Sequence, residues 1–155
     1  MPTAYEDAVR FLGRRLLTRR ELTLKLEAKG YEKRAIDEAI ARVAATYKID
    51  DGAVSADRVR TRGASRGKAR VVGELAARGI DESAAESAWD DAVASGAVDP
   101  AASLARAVVK RLGPAPGRAD KARLARVYNA LLSEGFDESA AFAALAPYGL
   151  ERDDP

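Results

Sequence analysis

Six basic side chains lie between positions 58 and 70: Arg58, Arg60, Arg62, Arg66, Lys68 and Arg70, with no acidic residue among them. All but one are arginine, whose planar guanidinium matches phosphate and carboxylate groups with two parallel hydrogen bonds. Such a run is chemically suited to holding anions. The ordinary reading of a charge run is a solvated helix surface. Here the single sign, the arginine bias and two interspersed glycines, Gly63 and Gly67, favour a contact surface. Glycine lets backbone approach a partner closely, at a cost of about 1 kcal/mol each within a helix. Glu74-Leu75 and Arg78-Gly79-Ile80 follow, and then the acids Asp81, Glu82, Glu86, Asp90 and Asp91. A basic segment therefore feeds an acidic helix through a glycine turn.

The chain contains no Cys and no His. That removes disulfides, Cys or His metal ligands, thiol nucleophiles and imidazole bases. Neither a paired-acid motif nor a phosphate-loop glycine pattern is present. We expect a non-enzymatic protein with no cofactor and no metal. The first twenty residues are charged throughout, and no apolar run nears the ~20 residues of a membrane span. The expectation is a cytoplasmic protein without membrane contact.

These basic residues need helices to position them. At 47% hydrophobic and 32% charged, the chain belongs to the folded class. Its apolar content is mainly Ala, Leu and Val, with one Trp and three Phe, so helices can approach closely while burying little area each. Net charge is only +2, but it is segregated: +4 over residues 1–49, −2 over 50–98 and 0 over 99–155. A local field can exist despite near neutrality.

A repeat explains the segregation. The turns Lys29-Gly30-Tyr31, Arg78-Gly79-Ile80 and Glu134-Gly135-Phe136 align, and four residues before each glycine stands a leucine: Leu26, Leu75, Leu131. The spacing predicts an all-α protein of three tandem three-helix repeats, residues 1–49, 50–98 and 99–155, stacked into an elongated curved rod. The third repeat carries a Gly/Pro insertion at 113–117, read as a stiff surface loop. In the first repeat, Tyr5, Ala8, Val9, Leu12 and Leu16 mark one helix face. Thr18 with Glu21 forms a capping box for the next helix, which turns Leu22 and Leu26 inward. Ile36, Ile40, Val43, Ala44 and Tyr47 mark the third. In the second repeat, Asp50 or Asp51 caps a helix whose only sizeable apolar residues are Val54 and Val59. We expect neighbouring repeats or a partner to hold it. Val71, Val72 and Leu75 face inward on the next helix, and Ala85, Trp89, Ala92 and Val93 on the one after. Trp89 is read as core, not as a base-stacking residue. Asp99-Pro100 opens the third repeat as cap and first-turn proline, Tyr148 covers its last helix, and Glu151–Pro155 form a frayed tail. Gly30 and Gly79 are expected at positive φ.

In every repeat the basic residues concentrate on the first two helices. The candidate contact set is Arg14, Arg15, Arg19, Arg20 and Lys25 with Arg58, Arg60, Arg62, Arg66, Lys68 and Arg70. Arg62 is expected at its centre. In the third repeat the basic residues of the first two helices are Arg106, Lys110, Arg111, Arg118, Lys121, Arg123 and Arg126. The ligand of the contact set is nucleic acid, an acidic protein surface, or both. One alternative is a helix-turn-helix-like DNA-binding module acting as a transcription regulator. Adenine readout favours Asn or Gln, and the chain has no Gln and a single Asn, Asn129. The other alternative is a helical scaffold with no nucleic-acid role.

The ordered set Asp51, Arg62, Gly67, Glu74-Leu75 and Gly79-Ile80 resembles the middle repeat of the RecX family, regulators of the bacterial RecA recombinase. The resemblance extends more loosely over nearly the whole chain. It departs at Val54, where the family usually has an aromatic, and at Ser55, Arg58 and Lys68. The resemblance implies a modulator of RecA in DNA repair, recombination and the SOS response. Such a protein binds the filament on single-stranded DNA, in its groove or at its end, and blocks extension, ATPase and strand exchange. The expected partners are therefore the RecA filament and single-stranded DNA, with double-stranded DNA left open, and the protein itself is expected to be a monomer.

Overall fold

The computed structural model describes residues 1–47, 49–114, 117 and 119–152. The predicted inward side chain of Tyr47, the middle of the 113–117 insertion, Arg118 and the tail beyond residue 152 lie outside the described portion. Among the described residues the secondary structure is nine α-helices and one 3-10 turn, without a strand. The helices are α1 (Ala4–Leu12), α2 (Arg19–Ala28), α3 (Lys33–Tyr47), α4 (Asp51–Arg62), α5 (Lys68–Ala77), α6 (Glu82–Ala94), α7 (Pro100–Leu112), α8 (Lys121–Ser133) and α9 (Glu138–Leu145). A 3-10 turn, Ala146–Tyr148, follows.

Local chemistry starts and stops these helices. The Thr18 hydroxyl accepts from the Glu21 amide at 3.1 Å, and the Glu21 carboxylate accepts from the Thr18 amide at 3.0 Å. Two orphan donors of the helix start are thereby satisfied. Asp50 caps α4 by accepting from the amide of Ala53, and Asp99 caps α7 ahead of Pro100. Gly30, Gly79 and Gly135 end the second helix of each repeat at φ 86°, 90° and 89°. The next amide, of Tyr31, Ile80 or Phe136, folds back to donate to the carbonyl of Leu26, Leu75 or Leu131. That 6→1 bond is the Schellman stop, and it requires the left-handed conformation that a side chain opposes. The three glycines differ in surroundings. A Cβ on Gly30 would meet nothing within 4 Å, one on Gly79 would meet the Arg20 side chain at 2.4 Å, and one on Gly135 the Arg70 amide at 2.2 Å. Replacement by alanine should therefore cost about 1–2 kcal/mol of backbone strain at Gly30, and more at Gly79. The cost should be greatest at Gly135, where the obstacle is backbone. Urea melts of the three variants should give that order.

Each repeat has its own core. Ala8, Leu22, Leu26, Ile36 and Val43 pack in the first. Val54, Val59, Val71, Leu75, Ile80 and Trp89 pack in the second, and Leu104, Val108, Leu124, Leu131, Phe136, Leu145 and Tyr148 in the third. Among the described residues, every extensive helix–helix contact lies within a repeat. The molecule is thus a helical-repeat rod with three small cores in line.

Three sequence expectations are corrected. Helix α1 ends at Leu12, and Leu16 lies beyond it, 56% exposed, while Leu17 is buried. Leu17 and Leu22 occupy the two apolar positions that flank a capping box, so the cap of α2 selects Leu17 for the core. Val93 is 38% exposed, and Val98 enters the core in its place after the turn at Gly96. Helix α4 is held by its own repeat: Val54 and Val59 are buried against α5 and α6.

Candidate nucleic-acid interface

Three side chains of the basic run, Arg58, Arg62 and Arg70, share one carboxylate, that of Glu74. Arg62 donates to Glu74 through Nε at 3.1 Å and through Nη2 at 2.8 Å. Arg58 reaches the same carboxylate at 3.1 Å, and Arg70 at 3.4 Å. Hydrogen bonding and charge from Arg62 hold the Glu74 carboxyl below the usual carboxylate range, against the opposing effect of burial. Three guanidinium groups on one carboxylate leave a positive surplus. The structure still changes the reading of Arg62, since this side chain is 30% exposed and anchors α4 to α5. Reversal to glutamate would set two carboxylates together, so Arg62→Glu should destabilise the second repeat by about 2–3 kcal/mol. A urea melt checks that value.

The remaining candidates are placed as follows. Arg60 pairs with Asp57 at 2.9 Å and Lys68 with Asp90 at 3.0 Å. Half-buried Arg66 donates to the carbonyl of its neighbour Ser65. In the first repeat Arg14, Arg15, Arg19 and Arg20 are exposed around the α1–α2 turn. Arg15 approaches Glu21 only to 3.8 Å, and Lys25 sits over the Phe11 ring at 5.3 Å. The two sets belong to different elements.

That joint is built from polar groups. The Thr18 hydroxyl, besides capping α2, donates to the carbonyl of Arg78 at 2.6 Å. The Arg78 guanidinium donates twice to Glu21, at 2.8 and 3.1 Å, and to the carbonyl of Leu16 at 3.2 Å. The Arg19 amide donates to Asp51, and the Arg20 stem lies against Gly79. Hydrogen bonding from Arg78 holds the Glu21 carboxyl below its ordinary range as well. With folded-state pKa values lowered at Glu21 and Glu74, their stabilisation is complete above the ordinary carboxylate pKa, about 4.3. It is lost as pH falls through the lower folded values. The protein should therefore lose stability on acidification below about pH 4. A Glu21→Gln/Glu74→Gln variant should show a flatter pH dependence of its urea midpoint.

The second joint repeats the first with different atoms. The Gly67 amide donates to the carbonyl of Glu134 at 2.9 Å and the Ala69 amide to that of Gly135 at 3.3 Å. Buried Ser103 donates to the carbonyl of Gly63 at 2.7 Å, and Arg106 to that of Ala64 at 2.8 Å. Within the third repeat, Arg111 pairs with Glu134, whose carbonyl takes the Gly67 amide. In both joints, the glycine turn of one repeat sits on the start of the second helix of the repeat before it. The close approach expected at Gly63 and Gly67 is therefore within this chain: at Gly67 to the backbone of the third repeat, and at Gly63 to Val59 and Val98 of its own repeat. Helix α5 spans both joints: its start meets the third repeat and its end the first. Arg70, Glu74 and Arg78 lie four residues apart along one face between them. Nothing in the sequence assigns a contact to Arg78 or foretells the grip of Glu74 on Arg58 and Arg62. The only sequence signal for Arg78 was its position before the aligned glycine.

In class, then, the chain is a tandem array of three-helix units joined by polar contacts, rich in arginine. No group of potential metal ligands occurs among its described residues. The model of the first three-helix domain of RecX matches residues 4–42. Regulatory protein RecX of Geobacillus kaustophilus is 30% identical over 150 residues, covering 94% of this chain and 54% of that protein. Regulatory protein RecX of Mycobacterium sp. strain JLS is 30% identical over 142 residues, covering 89% of this chain and 77% of that protein. The chain thus spans about half the length of the Geobacillus protein. The crystal structure of RecX from Lactobacillus salivarius superposes with a TM-score of 0.73 at 22% identity, covering 94% of each chain. The chain belongs to the RecX family.

Proposed function

We propose that this protein binds the filament that a RecA recombinase forms on single-stranded DNA and suppresses its extension, ATP turnover and strand exchange. It does so in the cytoplasm, as a monomer, without enzymatic activity of its own. The observation that carries this reading is the unneutralised arginine surface. Three arginines share Glu74, and Arg14 and the Arg19 side chain have no carboxylate partner among the described residues. Membership of the RecX family points the same surface at a recombinase filament. No helix among the described residues is long and apolar enough to cross a membrane. The functional units are the repeats 1–49, 50–98 and 99–155. The contact set comprises Arg14, Arg15, Arg19, Arg20 and Lys25 with Arg60, Arg66, Lys68 and the outward faces of Arg58, Arg62 and Arg70.

The mechanism is steric and electrostatic. A rod seated in a helical groove, or on a growing end, blocks the next subunit while its arginines pair with filament carboxylates or DNA phosphates. An Arg14→Glu/Arg19→Glu variant removes charge without touching a core. It should melt like the wild type, inhibit poorly, and flatten the salt dependence of single-strand binding by about 0.7 in log–log slope per lost phosphate contact. A folded double variant with unchanged inhibition and slope would leave these two arginines as solvated surface.

A further inference from the structure

Between the second and third repeats lies a cleft of about 120 Å3. That is the liquid share of about four waters, or room for one tetrahedral oxyanion. Arg66 enters it from the second repeat, and Arg106, Lys110 and Arg111 from the third. Glu134 is the one carboxylate there, and it is occupied by Arg111. Four cations thus face one another across a joint with a single counter-charge. Like charges gathered this closely repel unless an anion joins them.

The donors are arranged for a ligand. Arg106 is anchored by a single nitrogen, Nη2, which bonds the carbonyl of Ala64 and the Ser103 hydroxyl. The rest of its guanidinium fork is uncommitted. Half-buried Arg66 bonds only the carbonyl of Ser65 next to it in the chain, and exposed Lys110 has no partner among the described residues. Converging Arg and Lys donors of this kind suit the non-bridging oxygens of a phosphodiester.

We infer that this cleft is a phosphodiester site: one backbone phosphate of single-stranded nucleic acid seats between Arg66 and the Arg106–Lys110 face. The ligand bridges both repeats and so stiffens the joint that Gly67 and Glu134 close. A compact tetrahedral anion fits the volume, and a nucleic-acid strand, with one charge per phosphate, brings further anions beside the seated one to meet a surplus of three positive charges that a single side-chain carboxylate would leave. The site rests on the reading that the chain binds single-stranded nucleic acid. It adds the third repeat, through Arg106 and Lys110, to the contact set drawn from the first two.

The test is fluorescence anisotropy of a labelled oligo(dT) with the full chain, as wild type and as Lys110→Glu and Arg66→Gln/Lys110→Gln. Arg106 is left intact because it also ties the joint. Each variant should melt like the wild type, and each should bind about tenfold or more weakly, the loss of a charge-assisted contact. The log–log salt slope should fall by about 0.7 per contact removed. Inorganic phosphate should displace the oligonucleotide no better than chloride of equal ionic strength. If it displaces much better, the ligand is free phosphate and the proposal falls. If wild type and folded variants bind oligo(dT) with equal affinity and slope, the cleft is not a phosphate site, although the broader reading stands. If the variants keep oligo(dT) binding but lose DNA-free binding to recombinase, the ligand is a protein carboxylate and the proposal is overturned. A wild type that binds no oligo(dT) overturns both the site and the nucleic-acid reading beneath it.

Discussion

Leu75→Ala and Leu26→Ala are each expected to lower stability by about 2–5 kcal/mol, the cost of a buried leucine plus the cavity it leaves. Both side chains have no exposed surface, and each stands four residues before the glycine that ends its helix. Each carbonyl accepts the folding-back amide, so the side chain and the helix stop are fixed at the same point. The cores are small and separate, so neighbouring repeats cannot close the cavity. A core of this size has few other contacts with which to compensate. Urea melts should show midpoints well below the wild type for both variants. Curves that overlay the wild type would disprove the equivalence of the two positions.

Gly67→Ala is expected to act on a joint instead of a core. Gly67 has an ordinary φ of −83°, so its backbone would accept a side chain. Space would not. A Cβ there would lie 2.2 Å from the Gly135 carbonyl oxygen and 2.4 Å from the Phe136 amide nitrogen, both backbone. Nothing flexible can yield, so the second and third repeats must move apart or the helix start must distort, at a cost of about 1–3 kcal/mol. The amides of Gly67 and Ala69, which donate across the joint, should lose protection from hydrogen exchange, while amides inside the third repeat keep theirs. Gly73, six residues along the same helix, is the control. A Cβ there meets nothing within 4 Å, and the residue is exposed and helical. Gly73→Ala should therefore stabilise by about 0.5–1 kcal/mol through helix propensity alone. Opposite signs at two glycines of one helix would locate the joint.

The fold was legible because its signals are local. A capping box is read from Thr18 and Glu21 three residues apart, and a helix stop from a glycine followed by Tyr31 or Ile80. Apolar spacing at 3.6 residues then identifies Leu22, Leu26, Val71, Leu75 and Trp89 as core. The error at Leu16 came from extending that spacing through a helix end that Gly13 and the Thr18 cap impose. The candidate site was only partly legible. Charge type and order are visible in a sequence, but neutralisation is a property of packing. Glu74 lies twelve residues from Arg62 and sixteen from Arg58 in sequence, and only the packing of α4 on α5 brings them together. Arg78 and Glu21, fifty-seven residues apart, meet across a joint that no periodicity announces. Glycines at 63 and 67 signal close approach equally well to a partner or to the chain itself, and here it is the chain.

The most direct test of the account is a recombinase ATPase assay on single-stranded DNA, with this protein titrated into the running reaction. ATP turnover should fall as the protein is added, and the Arg14→Glu/Arg19→Glu variant should be a weak inhibitor. Inhibition well below one protein per recombinase subunit would assign the action to the growing filament end, and inhibition only near saturation would assign it to the groove. Turnover unchanged at every ratio with the recombinase of the same organism would contradict the account.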